Sequence, residues 1–284
     1  MKRIAIAIDR VDWHARRLHA AFLALDMAPI FISLRQVAFA PEGLRFPGFD
    51  GLPDGVFVRA IAAGSFEEVT RRLGVLHALA ALGVPVWNSA GAIERCVDKS
   101  TTAFLLAKAG LPTPETWTVE GREAAAMVMA EAGGEMVLKP LFGAQGRGLV
   151  RLAMASDLPP PEAVSGVYHL QRFVAPGKRE KFCDYRLLVC RGDIVAAMRR
   201  ESENWVTNLH RGARACAFDP PPALATLAAR AAAAVGADYA GVDLIDTPEA
   251  GAMVLEVNSM PGWRGLQSVS EVAIAPALAR RLIA

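Results

Sequence analysis

The 284-residue sequence predicts an α/β protein that opens on a parallel sheet and continues as α+β units with antiparallel strands. Three observations carry this. Short apolar runs alternate with helix-periodic segments over about the first 90 residues, the order of a parallel sheet covered by helices. A glycine-rich loop, Phe142–Gly148, joins two later strand candidates directly. Toward the C-terminus, two further pairs of apolar runs are separated only by turn residues.

In the first unit, 1–89, the strand candidates are Ile4–Ile8, Pro29–Leu34, Val56–Val58 and Val84–Trp87, with helices over His14–Ala24 and Phe66–Leu82. The opening apolar run is too short for a signal peptide, and Asp9 ends it. Phe39–Pro53, rich in Gly and Pro, reads as an excursion. The second unit, 90–166, starts with a single helix over Ala90–Ala109, stopped by Gly110 and Pro112. Strand Thr116–Val119, helix Arg122–Ala132 and strands Glu135–Lys139 and Leu149–Ala153 follow, and Pro159–Pro161 marks a surface connection. The third unit, 167–284, holds strands Tyr168–Phe173, Asp184–Cys190 and Ile194–Arg199, the last two joined by the turn Arg191-Gly192-Asp193. Helix Ala223–Val235, strands Gly241–Ile245 and Met253–Asn258 around Thr247–Gly251, and helix Val272–Leu282 complete it.

Composition narrows the function. Hydrophobic residues make up 53% and charged residues 21%, enough for a sizeable core. A formal net charge of +2 does not suit nucleic acid or an anionic membrane. No apolar stretch reaches the ~20 residues that span a bilayer. The cysteines, Cys96, Cys183, Cys190 and Cys216, show no metal-site spacing and read as reduced thiols of a cytoplasmic protein.

The sharpest chemical signal is Met253–Asn258, an apolar strand with two oxygen donors. Side chains alternate along a strand, so Glu256 and Asn258 share a face. Asp243, on the neighbouring strand, approaches within roughly 5 Å if the two pair. Such an all-oxygen set suits Mg²⁺. Solvent-facing acids are the competing account, but bare charges within apolar strands are costly. Lys139–Gly148 lacks the Lys-Ser/Thr ending of a P-loop and the dinucleotide spacing, and a strand follows it. It reads as a hairpin flap whose amide groups fold over phosphates, with Lys139 and Arg147 adding charge, or else as an ordinary glycine hairpin.

Four ordered stretches resemble the ATP-grasp superfamily and, within it, the RimK-type α-L-glutamate ligases. They are Val84–Ser89 with Ile93–Lys99, Val137–Pro140 with Gly143–Gly148, Asp184–Val189 with Arg199 and Asn208–Gly212, and Gly241–Asp243 with Leu255–Gly262. The resemblance implies an ATP-grasp fold in which two α+β subdomains clamp ATP. It implies that Lys99 and Lys139 contact phosphates, with Gly146 and Arg147 in the flap. Gln171, Arg172, Phe173 and Val174 would form the adenine hinge. Asp184 would hold ribose or order the pocket, and Asn208 would lie beside the phosphates. Asp243, Glu256 and Asn258 would carry Mg²⁺, with Mn²⁺ as an alternative. Arg186, Arg199 and Arg211 would face the acceptor carboxylate and the intermediate.

The implied reaction is ATP-dependent joining of a carboxylate to an amine through an acylphosphate, with L-glutamate added to a small carboxylate-bearing acceptor such as a pterin-type cofactor. Pro261–Gln267 resembles small-molecule relatives, including tetrahydromethanopterin glutamate ligases, more than the protein-modifying enzyme. Two alternatives stay open: a non-catalytic ATP-binding module, and a ligase acting on a protein or peptide C-terminus. A homo-oligomer is implied by the same resemblance. Since Arg199 and Arg200 alternate faces on a strand, at most one points into the site. Arg59 reaches a substrate carboxylate or makes a surface ion pair. Trp205 and Trp263 stack on a flat acceptor or pack under a loop. His210 reads as structural.

Overall fold

The computed structural model describes residues 1–143, 146–175, 181–247 and 251–283. The first sheet joins β1 (Arg3–Ala7), β2 (Ala28–Ile32), β5 (Gly55–Val58) and β6 (Val86–Trp87) in the order β2-β1-β5-β6, all parallel. The excursion between β2 and β5 carries a small hairpin, β3 (Ala38–Ala40) with β4 (Gly43–Arg45). Helix α1 (Trp13–Leu23) begins at Asp12, whose carboxylate accepts from the Ala15 amide at 2.7 Å. Helix α2 (Phe66–Ala81) begins with a reciprocal capping pair, Ser65 and Glu68.

The predicted single helix over Ala90–Ala109 is two helices, α3 (Ala90–Val97) and α4 (Lys99–Lys108). Asp98 breaks it. Its backbone turns extended (ψ 103°), and its side chain accepts from the amides of Ser100 and Thr101. An aspartate that can cap competes with helix continuation.

The central sheet is antiparallel, in the order β7-β10-β8-β9: β7 (Thr116–Glu120), β8 (Met136–Lys139), β9 (Val150–Leu152) and β10 (Val167–Arg172), with α5 (Arg122–Ala132) against it. The boundary expected at residue 166 is therefore misplaced. β10 pairs with both β7 and β8 and belongs to the central unit. The flap is the β8–β9 connection; its Ala144 and Gln145 lie outside the described residues.

The last sheet runs β13-β12-β11-β14-β15, formed by β11 (Phe182–Cys190), β12 (Asp193–Ser202), β13 (Arg214–Ala217), β14 (Tyr239–Thr247) and β15 (Gly251–Asn258). Residues 248–250, in the expected turn between β14 and β15, lie outside the described residues. Helix α6 (Pro222–Ala234) covers one face through Leu224, Leu227, Ala228 and Ala231. The short α7 (Arg264–Gln267) and α8 (Ile274–Ile283) follow. A single core joins the first and last units, from Ile4, Ile6, Leu18 and Phe57 through Leu188, Met198 and Tyr239 to Trp263 and Leu278. Among the described residues, no helix is long and apolar enough to cross a membrane.

Candidate active site

β14 and β15 pair antiparallel, with Gly241 opposite Asn258 and Asp243 opposite Glu256. Leu255 is an extra residue on β15, because Leu244 already pairs with Val254. Such a bulge re-aims the side chains beside it. Leu255 and Glu256 both line a cleft with Cys96, Lys99, Lys139, His169 and Gln171. Four of the residues picked out from the sequence, Lys99, Lys139, Gln171 and Glu256, thus converge on one space.

Asp98 places Lys99 on the first turn of α4, from where Nζ donates to the flap carbonyls of Leu141 (3.3 Å) and Gly143 (3.0 Å). Burial pushes the Lys99 ammonium below its usual range, against the pull of Glu256 and Asp98. Lys139 is lowered too, by burial first and then by Lys99, with Glu256 opposing. Among the described residues, the side chains of Lys139 and Glu256 have no hydrogen-bond or ion-pair partner, while their backbones pair in the strand ladders. Two crowded cations facing one acidic group suit a polyanion with its own counter-ion. The Cys96 thiol is pushed up to about 12 by burial and stays protonated, so it is no nucleophile.

A network of four charges covers the same face of the last sheet. Arg186 grips Asp243 with both Nε and Nη2, and Arg200 Nη2 lies 3.2 Å from Asp243 Oδ1. Arg200 Nε also donates to Asp184 at 2.7 Å, and Thr207 Oγ1 donates to Asp184 at 2.6 Å. Burial pushes Asp243 up, but the two guanidinium groups outweigh it and hold the carboxyl below its ordinary range. Asp184 moves the other way, since burial dominates over Arg200. Asp184 is thereby tied to Arg200 and Thr207, and through Arg200 to Asp243.

Arg199 is the clear correction. It pairs opposite Tyr185, whose face packs on the α6 side. It bonds Glu201 (2.6 Å) and lines a surface pocket with Lys181 and Tyr185. Arg200 is the member of the pair that shares a face with Asp243. Strand parity held the answer, because Arg200 is opposite Asp184 and Arg199 is not. Arg172 also turns away from the cleft. Its guanidinium ties down Glu115 and the carbonyls of Ala132 and Gly133. The amides of Arg172 and Phe173 donate to the Glu115 and Glu135 carbonyls. Phe173 stacks under Arg151 at 4.0 Å and meets Trp205 edge-on. Val174 follows, half-buried, and Arg147 is exposed.

The flap touches the far side of the site. Gly146 has a positive φ of 68°, and a Cβ there would overlap the Asn208 side chain. Arg211 donates to the Gly146 carbonyl at 3.2 Å. Asn258 Nδ2 makes only a long bond, 3.4 Å, to Gly241. His169 carries no signal in the sequence, as an isolated histidine in an apolar strand. It is buried opposite Lys139 on β10, 2.8 Å from Thr118 Oγ1, and burial, then Lys139 and Lys99, lower it to about 4. Trp263 is 1% exposed and packs in the core shared by the first and last units, so it cannot stack on an acceptor.

The RimK-like ATP-grasp domain model matches residues 96–282. The chain belongs to the RimK-like ATP-grasp family. It is 33% identical to the tetrahydromethanopterin:alpha-L-glutamate ligase of Methanosarcina acetivorans, over 94% of each chain. It is 31% identical to the ribosomal protein bS6–L-glutamate ligase of Salmonella paratyphi B, over 97% of this chain and 93% of that one. The ATP-grasp ligase PsnB, solved with a precursor variant, Mg and ADP, superposes with a TM-score of 0.76 at 22% identity, covering 99% of this chain and 97% of that one. This member is an ATP-grasp ligase, forming an amide bond at the expense of ATP.

Proposed function

We propose that this ligase adds L-glutamate to a small, carboxylate-bearing acceptor of the pterin type. The observation that carries the reading is the meeting of Lys99, Lys139 and Glu256 in one cleft, with Asp243 paired beside it. Lys99 and Lys139 take the ATP phosphates. Asp243, Glu256 and Asn258 offer an all-oxygen donor set that fits Mg²⁺, or Mn²⁺ in its place. The half-buried, unpartnered Glu256 is the group most in need of such a cation. When bound, the metal neutralises charge on the phosphates.

The acceptor carboxylate oxygen attacks the γ-phosphorus, and the bond to the β-phosphate oxygen breaks, releasing ADP. The amine of glutamate then attacks the acyl carbon, phosphate leaves, and the amine loses a proton. Positioning and charge neutralisation do most of this work. Arg186 and Arg200 hold Asp243 in place, and their remaining N–H groups face charge that develops on the same side of the sheet. Arg211 and Asn208 hold the flap glycine down over the phosphates. Support for a small acceptor comes from the tetrahydromethanopterin ligase, alike over nearly the whole chain. The bS6 ligase likeness favours a second reading, glutamylation of a protein C-terminus.

The test is incubation with Mg²⁺-ATP, glutamate and a panel of pterin-type carboxylates and C-terminal peptides, followed by mass spectrometry. The expected result is ADP and a small product heavier by one glutamyl unit. A glutamylated peptide alone would replace the reading with the second one. Unchanged turnover in Glu256→Ala would remove the site assignment.

A further inference from the structure

Three side chains of the first unit hold one short backbone segment of the last. Asn88, fully buried, donates to the carbonyls of Ser259 (2.5 Å) and Tyr239 (2.8 Å) and accepts from the Tyr239 amide (3.1 Å). Arg59 Nη1 donates to the Met260 carbonyl at 3.3 Å. His14 Nε2 accepts from the amides of Trp263 (3.1 Å) and Arg264 (3.2 Å). A ring nitrogen accepts only without its proton, so Nε2 carries none in this network. Nδ1 faces both Asp12 Oδ2 at 3.1 Å and Arg59 Nη2 at 3.2 Å. Asp12 is held in turn by the Ala15 amide and, at 2.9 Å, by Arg59. The imidazole lies edge-on to buried Trp263, with centroids 4.7 Å apart.

The segment these residues hold, Ser259–Arg264, follows directly on Asn258. Asn258 is the last residue of β15, and residues 259–263 have no regular structure. No ladder continues beyond it, and its own side-chain bond is long, 3.4 Å. A metal-binding amide has to be held within about 0.5 Å of its working place by its surroundings. Here those surroundings come from residues more than 150 positions earlier in the chain.

We propose that Asn88, Arg59 and His14 form a positioning frame that sets Asn258, making the first unit part of the metal geometry. None of the three touches the reacting atoms. The proposal rests on the assignment of Asp243, Glu256 and Asn258 as metal ligands.

The test uses full-length His14→Leu, which has no acceptor, and His14→Gln, whose carbonyl oxygen reaches the same two amides. ATP affinity is measured by calorimetry with and without Mg²⁺, alongside melting temperature. Loss of an outer partner costs a metal site about tenfold or more, so His14→Leu is expected to lose about that much of the Mg²⁺-dependent gain in affinity. Its metal-free ATP binding should stay unchanged, and His14→Gln should recover most of the loss. Should His14→Leu fail to fold, Arg59→Met removes the Met260 contact and is read the same way. Wild-type Mg²⁺ dependence in His14→Leu overturns the frame, as does a loss in His14→Gln equal to that in His14→Leu. Asn258→Ala separates the two layers: if it keeps full Mg²⁺ dependence, the ligand assignment has failed.

Discussion

Arg186 and Asp243 face each other across β11 and β14, and the guanidinium takes both carboxylate oxygens. Both side chains are nearly buried, 11% and 6% exposed. Removing one partner of a buried pair leaves the other charge uncompensated, at about 3–5 kcal/mol. Asp243→Asn is therefore expected to lower stability by roughly that amount and to abolish ADP release, where Glu256→Gln should abolish turnover with little change in melting temperature. Chemical denaturation and an ADP-coupled assay check both.

The two adjacent arginines of β12 should separate cleanly. Arg200 bonds Asp184 and Asp243, and Arg199 bonds Glu201 near the surface. Arg200→Met should cut kcat by at least about a hundredfold, taking the loss of one preorganised charge as a guide. Arg199→Met should stay within about threefold of wild type, as half-exposed pairs contribute little. Steady-state kinetics on both variants decide it; equal losses would place Arg199 in the machinery after all.

His169 gives a pH signature. The unfolded chain protonates this imidazole below its ordinary 6.5, and the folded protein resists until about 4. Its contribution to stability is whole above pH 6.5, falls between 6.5 and 4, and is gone below; it amounts to roughly 3 kcal/mol. His169→Asn keeps an acceptor for Thr118. The variant's melting temperature should fall less steeply than that of wild type between pH 6.5 and 4.

Gly146→Ala should act on the flap. The positive φ costs a side chain on the order of 1 kcal/mol, and the added methyl meets Asn208. The expected result is a lower kcat and a higher KM for ATP, with melting temperature unchanged within about a degree, since the flap is outside the cores. Stopped-flow nucleotide binding would report the slower association.

The shared face of Glu256 and Asn258 is legible in the sequence because side chains alternate along a strand. The pairing of Asp243 with Glu256 follows from the same logic. The break at Asp98 is harder to see, because periodicity runs on through it and only cap geometry stops the helix. Resemblance points to Arg199 over Arg200 because it fixes a neighbourhood, not a parity; β12 parity depends on its register with Asp184. The side-chain partners of Arg172 and Trp263 stay hidden for a shared reason: large side chains often tie segments together, and sequence shows neither partner. The role of His14 and Asn88 is invisible, since their partners are backbone groups of a segment that any sequence could supply.

The core shared by the first and last units bears on engineering. Leu278 of α8 and Leu18 of α1 lie in one apolar body with β1, β5 and β12. A chimera that exchanged residues 1–89 for those of a relative would cut through this interior and through the Asn88 latch. A domain transplant meant to change acceptor choice would have to carry α8 and Ser259–Arg264 along with the first unit, as one module discontinuous in sequence.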